Sequence, residues 1–309
     1  MSAFADKAPP IIRRWTMAAA FVALLMLSMR GVDLASPLST VVACAAILAF
    51  GLPHGTLDLA IIQRERKAGR VAMGILLFCY LGLAALMAAT WHFAPVVALA
   101  VFLVIAALHF AEDWREHCPP FLAQAMAVAL LSVPALLHLT ALEHLFVALT
   151  GSGSASIVAN VLLLVAPMSL AVATVAIGAM RKASHDRQAI AGAITLAAMI
   201  LLPPVVGFAL FFSLHHSPSQ FKAAIARTSG GRRAWQTIAM LTLVAVGICA
   251  ALFVGEVRAD LPDQFVAASF MTLSLLTLPH MVIPAVFKPL AMREPASKLP
   301  FEPPQRRAC

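Results

Sequence analysis

Charge is scarce in this chain. Only 12% of its 309 residues are charged, 61% are hydrophobic, and the mean hydropathy is +0.91. A soluble domain has about 25% charged residues and about 45–50% apolar ones. The composition therefore argues against an ordinary soluble protein. It predicts an all-α fold, a polytopic transmembrane helix bundle.

Other absences narrow the class further. The five cysteines stand singly, with no CxxC pair and no zinc-ligand spacing, so they predict no disulfide framework. No glycine-rich phosphate loop, long linker or convincing internal repeat marks a soluble domain. The net charge of +8 comes from Lys and Arg in short loops and tails, which indicates positive-inside topology and contact with anionic membrane lipid. We therefore expect no nucleic-acid partner.

Nine apolar runs have about the 17–25 residues of a spanning helix, or somewhat more. They are 15–29, 38–62, 71–93, 95–111, 121–149, 156–180, 188–214, 234–255 and 264–287. The alternation of basic loops does not fit nine crossings, so we expect about eight. The run 121–149 contains Pro134 and is the one expected to be partly interfacial or re-entrant.

This pattern predicts three regions. Residues 1–14 form a basic, cytoplasmic N-terminal tail, 15–288 the transmembrane bundle, and 289–309 a Pro-rich, basic, disordered C-terminal tail. We expect an integral protein of a bacterial inner (plasma) membrane. The oligomeric state is not indicated.

Histidines are unusually placed among these runs. Five of the ten interrupt or end an apolar run, namely His54, His109, His215, His216 and His280. A buried polar group without a partner costs on the order of several kcal/mol. A single such residue is commonly a packed, hydrogen-bonded core histidine, but four separate runs share the feature. Since neutral imidazole is the commonest metal ligand, a shared metal site within the bundle is expected.

Two carboxylates accompany these histidines. Asp58 follows His54 by four residues, and Asp113 follows His109 by four, which places each pair on one face of a helix. Ligating histidines usually donate their second ring N–H to a carboxylate or carbonyl. Both aspartates are therefore candidates for orienting a histidine, and either is also a candidate ligand.

The motifs that hold these residues resemble a known family. Gly-Leu-Pro-His54-Gly-Thr-Leu-Asp58, His109-Phe-Ala-Glu-Asp113, Phe-Phe-Ser-Leu-His215-His216-Ser-Pro and Leu-Pro-His280-Met occur in the order of the Brp/Blh family. Its members are integral-membrane β-carotene 15,15′-dioxygenases, which use O₂ to cleave the central double bond of β-carotene into two retinals. The resemblance spans about residues 45–285.

The resemblance implies a non-haem Fe(2+) centre and β-carotene, or a related carotenoid, as the substrate. By position it implies that His54, His109 and His216 are iron ligands, with His280 as a further candidate. Aromatic residues beside the histidines are candidates for the wall of an apolar channel: Phe50, Phe110, Phe211, Phe212 and Trp114.

This sequence departs from the family at Gln220, where a histidine is expected four residues after His216. Three explanations are open. The Gln220 amide oxygen is a weak ligand, or His215 or His280 replaces the missing nitrogen, or the protein has altered or lost activity and only binds a carotenoid or retinoid.

Two further readings compete with carotene cleavage. A haem or redox protein would use two of the histidines as axial ligands. A transporter would use Asp58, Asp113 and the histidines as a proton or cation relay, although no repeated half is evident in the sequence.

Overall fold

A computed structural model describes residues 12–55, 70–221, 232–255 and 261–291. Within these ranges the chain is helical and contains no strand. The helices are α1 (Ile12–Met29), α2 (Pro37–Gly55), α3 (Arg70–Phe93), α4 (Pro95–Phe110), α5 (Pro120–Ser132), α6 (Ala135–Thr150), α7 (Ser156–Lys182), α8 (Asp186–Leu201), α9 (Pro204–Phe211), α10 (Arg232–Gly255) and α11 (Leu261–Ala291). The predicted all-α membrane bundle is confirmed.

Proline starts several of these helices. The first residues of α2, α4, α5 and α9 are Pro37, Pro95, Pro120 and Pro204. The first turn of a helix has no internal partner for its N–H groups, so proline loses nothing there. Gly151 ends α6 with a left-handed φ of 66°, a conformation that costs glycine little.

Four helical segments in the described ranges are long and apolar enough to cross a membrane. They are Gly74–Phe93, Pro95–Asp113, Gly153–Lys182 and Leu261–Ile283. The pair α5 and α6 forms a fifth if it is counted as one broken span, and three shorter apolar helices lie in α1, α2 and α10. The expectation of about eight crossings stays a prediction.

Two of the nine apolar runs are broken within the described ranges, and residues 56–62 of the run 38–62 lie outside those ranges. α5 and α6 meet at a bend of 64°, so the run 121–149 is interrupted where Pro134 stands. The run 188–214, counted as one candidate span, divides into α8 and α9 at Leu202 and Pro203. A proline removes a backbone hydrogen bond and clashes with the preceding turn, which explains both breaks.

α11 is the central helix. It packs against α2, α3, α4, α6 and α10, and about two thirds of its span is buried. Small buried residues such as Ala267 and Ala268 allow the close approach of neighbouring helices. The hydroxyl groups of Ser269 and Thr272 donate to carbonyl oxygens one turn earlier, so these two hydroxyls are paired within the core. This packing brings the second half of α11, with His280, beside α4.

α1 begins at Ile12 and α11 runs to Ala291. The division into an N-terminal tail (1–14), a bundle (15–288) and a C-terminal tail (289–309) stays a prediction. Residues 1–11 and 292–309 lie outside the described ranges.

Candidate metal centre

His109 and Asp113 lie at the end of α4. A 3-10 turn at Ala111–Asp113 continues the helix beyond Phe110. The side chain of Asp113 is 1% exposed and His109 is 3% exposed. His109 lies in the last turn of α4, one of the most apolar helices, and Asp113 lies in the turn that follows it. Buried ionisable groups at such a position need partners.

His216 comes from α9. This helix passes into a π-helical turn at Phe212–His216 and then continues as a helix over residues 217–221. Single π-turns widen a helix locally and are frequent at functional sites. His216 is fully buried, with Phe110 edge-on at 4.9 Å and Phe212 stacked at 5.3 Å between ring centroids. Phenyl rings therefore surround the imidazole.

The two helices join through a buried pair of histidines. Nε2 of His216 lies 3.1 Å from Nε2 of His109, and Nδ1 of His216 lies 2.8 Å from Oδ2 of Asp113. A carboxylate accepts hydrogen bonds, so the proton of His216 belongs on Nδ1. Its Nε2 then presents a lone pair towards His109.

His109 also has a carboxylate near its Nδ1 atom. Its Nδ1 lies 3.7 Å from Oε2 of Glu112, a side chain that is 40% exposed. If the two Nε2 atoms shared a hydrogen bond, His109 would be the donor, and its Nδ1 lone pair would face that carboxylate. A cation held by the two histidines would remove this conflict, since each imidazole could then carry its proton on Nδ1, towards a carboxylate. Carboxylate–histidine–metal sites have this arrangement.

His280 and a small cavity adjoin the pair. The centroid of the His280 ring lies 4.9 Å from the centroid of the His109 ring, and the two rings are nearly perpendicular. Both histidines line a cavity of about 30 Å³, room for one or two waters or a molecule of similar size. Its other lining residues are largely apolar: Gly51, Phe102, Ala106, Phe110, Phe208, Phe212, Leu273, Leu276 and Thr277.

Three further predicted residues are His54, Asp58 and His215. His54 lies in the last turn of α2, but its side chain, like the whole of Asp58, falls outside the described residues. The His215 ring stacks on Trp114, with centroids 5.9 Å apart. Among the described side chains, no three His, Cys, Asp or Glu residues form a group that could hold a metal ion.

Two partners differ from those expected. Asp113 pairs with His216 across the helices, whereas the i, i+4 spacing had assigned it to His109. Glu112 approaches His109 instead, and its i, i+3 spacing was the sequence signal that could have found it. Gln220 turns its amide nitrogen to Oδ1 of Asp113, at 3.1 Å.

The aromatic candidates for a channel wall divide into two groups. Phe110 and Phe212 line the cavity. Phe211 and Trp114 are fully buried and stack on each other at 6.1 Å, whereas Phe50 is 47% exposed. Of the five candidates, Phe110 and Phe212 are therefore the two that line this cavity.

Gly51 permits the close packing of this wall. A Cβ atom added there would lie 2.7 Å from Cε1 of Phe212, whereas one at Gly74 would meet nothing within 4 Å. We expect Gly51→Ala to destabilise the protein by about 1–3 kcal/mol and to lower its activity, because Phe212 must move towards the cavity or His216. Thermal unfolding in detergent checks this against Gly74→Ala as the matched control. Equal stability of the two variants would contradict the tight packing.

A comparison with family models identifies the family of the chain. The family model described as beta-carotene 15,15′-dioxygenase matches residues 45–288. The chain belongs to this family. The matched range contains all the histidines and carboxylates discussed above, and it confirms the resemblance to Brp/Blh proteins. In two other comparisons, no curated protein and no solved structure matches the chain.

Membership supports a β-carotene dioxygenase-like enzyme in a membrane, with a carotenoid as the class of substrate. Within this chain, the His109–His216 pair is the structural feature that bears most directly on a specific function.

Proposed function

We propose that this protein uses O₂ to cleave the central double bond of β-carotene, or a closely related carotenoid, into two retinal molecules at a ferrous centre inside the bundle. The observation that carries the proposal is the His109–His216 pair. Its Nε2 atoms face each other at 3.1 Å, with a carboxylate near the Nδ1 atom of each ring.

The spacing of the pair is compatible with two ligands of one ion. Imidazole nitrogens bind a metal such as zinc at about 2.0–2.1 Å, so two ligands at angles of about 90–109° are about 2.8–3.4 Å apart. The distance of 3.1 Å lies in this range. His280 and His54 are the candidates for further ligands, since His280 lines the same cavity and α2 carries His54.

The same distance argues against a haem with this pair as axial ligands. Axial nitrogens bind on opposite faces of the iron, so they would be about 4 Å apart. The pair is nearly 1 Å closer than that.

Bound Fe(2+) would supply the binding and activation of O₂ that a carbon–carbon double bond cannot obtain from side chains alone. The overall reaction breaks one C=C bond and the O–O bond, and each new aldehyde carries one oxygen atom. No added reductant is required. His109 and His216 would hold the ion, while Asp113 keeps the proton of His216 on Nδ1.

The cavity has a separate role. Its phenyl rings give the histidines apolar surroundings, and their faces suit a polyene that dissolves in bilayer hydrocarbon. A volume of about 30 Å³ accepts O₂ or water but not a carotenoid. Binding of the polyene therefore requires movement of the side chains that line the cavity.

Expression in β-carotene-accumulating bacterial cells tests the proposal. We expect chromatography of the cell extract to show retinal and a matching loss of β-carotene. His144→Ala, which removes an exposed histidine on α6, should behave like the native chain. If membranes contain the native protein in normal amount but no retinal forms, the cleavage proposal is wrong and carotenoid binding without cleavage takes its place.

A further inference from the structure

Gln220 stands where the family pattern has a histidine, and the structure gives its side chain a specific partner. The Gln220 Nε2 atom donates a hydrogen bond to Oδ1 of Asp113 at 3.1 Å. The other oxygen of the same carboxylate, Oδ2, accepts from Nδ1 of His216 at 2.8 Å. One carboxylate thus holds two residues that lie one turn apart on the same helical segment.

The chemistry of this contact identifies the atom of Gln220 that faces Asp113. A carboxylate has only acceptor atoms, so the amide must present its nitrogen there. An amide nitrogen is not a metal ligand, so this end of the side chain is committed to Asp113 rather than to an ion. The amide therefore does a different task from the histidine that it replaces.

Burial makes the contact consequential. The side chains of His216 and Asp113 are 0% and 1% exposed, so water is poorly placed to replace a lost donor. A buried oxygen that loses its partner keeps the whole cost of its desolvation. The carboxylate would then turn towards other donors and would no longer hold His216 in one orientation.

We infer that Gln220 is a positioning residue for the metal site: its amide N–H fixes the Asp113 carboxylate, which in turn fixes the ring and the tautomer of His216. This inference rests on the proposed function, because it assigns to Gln220 a task in preparing the His216 ligand. It also explains how the chain can lack the family histidine and keep an ordered site.

Two substitutions separate positioning from direct ligation. Gln220→Met keeps the length of the side chain and removes the N–H donor. Gln220→Glu also removes that donor but offers a better metal ligand than an amide oxygen. Gln124→Met is the matched control, since Gln124 donates one amide hydrogen bond to the carbonyl of Ala107 and not to Asp113.

The first measurement is titration of the purified, metal-free protein in detergent with Co(2+), followed by visible absorption. Loss of a residue that orients a ligand typically weakens metal binding about 10–100-fold. We expect this loss in Gln220→Met and Gln220→Glu, and none in Gln124→Met. Unchanged or tighter binding by Gln220→Glu would overturn the positioning role and support ligation by residue 220.

The second measurement needs no metal. Nitrogen NMR of ¹⁵N-histidine protein, with the His216 signals identified by their loss in His216→Gln, reports which ring nitrogen carries the proton. The native chain should show His216 protonated on Nδ1, and Gln220→Met should show a mixture of tautomers. An unchanged tautomer in Gln220→Met would contradict the inference.

These results also distinguish the two proposals. A tautomer change in Gln220→Met, combined with a native chain that makes no retinal, would support the role of Gln220 and reject carotene cleavage. Retinal formation with an unchanged tautomer and unchanged Co(2+) affinity in Gln220→Met would do the reverse.

Discussion

Replacing His216 with alanine is expected to abolish both iron binding and retinal formation. Substituting a residue that merely orients a ligand typically costs about 10–100-fold in metal affinity or activity, so removing the ligand itself should cost more than about 100-fold. His216 is fully buried between Phe110 and Phe212, and its Nε2 is the atom that lies 3.1 Å from Nε2 of His109.

The same result is expected for His109→Ala, and the double variant should be no worse than either single one. Two ligands of one ion act as a unit, so their losses are not additive. Iron analysis of the purified protein and retinal formation in cells measure both effects. His216→Gln, which keeps most of the buried volume, serves as the second variant if alanine prevents folding. Full iron content and activity in both His216 variants would exclude His216 as a ligand.

Asp113→Asn is the substitution with the next largest expected effect. An asparagine amide is close in shape to the carboxylate, but one of its two ends is a donor. That end must face either Nδ1–H of His216 or the amide N–H of Gln220, both of which are donors. If it faces His216, the ring moves its proton to Nε2 and loses the lone pair that a metal requires.

We therefore expect Asp113→Asn to lower metal affinity about 10–100-fold without preventing folding. Glu112→Gln provides the comparison, because the Glu112 side chain is 40% exposed and lies 3.7 Å from His109, so its effect should be only a few-fold. Co(2+) titration of the two purified variants gives the ranking. A larger loss in Glu112→Gln than in Asp113→Asn would show that the carboxylates have been ranked wrongly.

The lengths of the apolar runs and the positions of the prolines predicted much of the helical architecture. Within the described ranges each apolar run overlaps a helix, and two of the runs are divided at prolines. Pro134 within the run 121–149 marked the bend between α5 and α6. The pair Pro203 and Pro204 likewise marked the separation of α8 from α9, although the run 188–214 was counted as one candidate span.

The histidines were identified by a similar argument. A polar ring in an apolar run needs a partner, and the structure brings His109, His216 and His280 together from three helices. The position of His54 relative to them remains a prediction, because its side chain lies outside the described residues.

The partners of these histidines were not predictable in the same way. Spacing of four residues places Asp113 on the face of His109, but it says nothing of a histidine on another helix. The 3-10 turn at Ala111–Asp113 sets the direction of the Asp113 side chain. The π-helical turn at Phe212–His216 sets the direction of the His216 side chain. Neither turn has a hydrophobic period that a sequence would reveal. Gln220 was weighed as a ligand for the same reason, since its contact with Asp113 exists only after the helices pack.

Iron-edge X-ray absorption of the purified native chain, with its iron content measured on the same sample, tests the central claim most directly. The account predicts one iron per chain, with a first shell at about 2.0–2.2 Å and the outer-shell scattering that imidazole rings produce. Iron content and imidazole scattering should both decrease in His109→Ala and His216→Ala. A native chain that forms retinal without bound iron, or whose iron shows no imidazole scattering, would contradict a metal centre at this histidine pair.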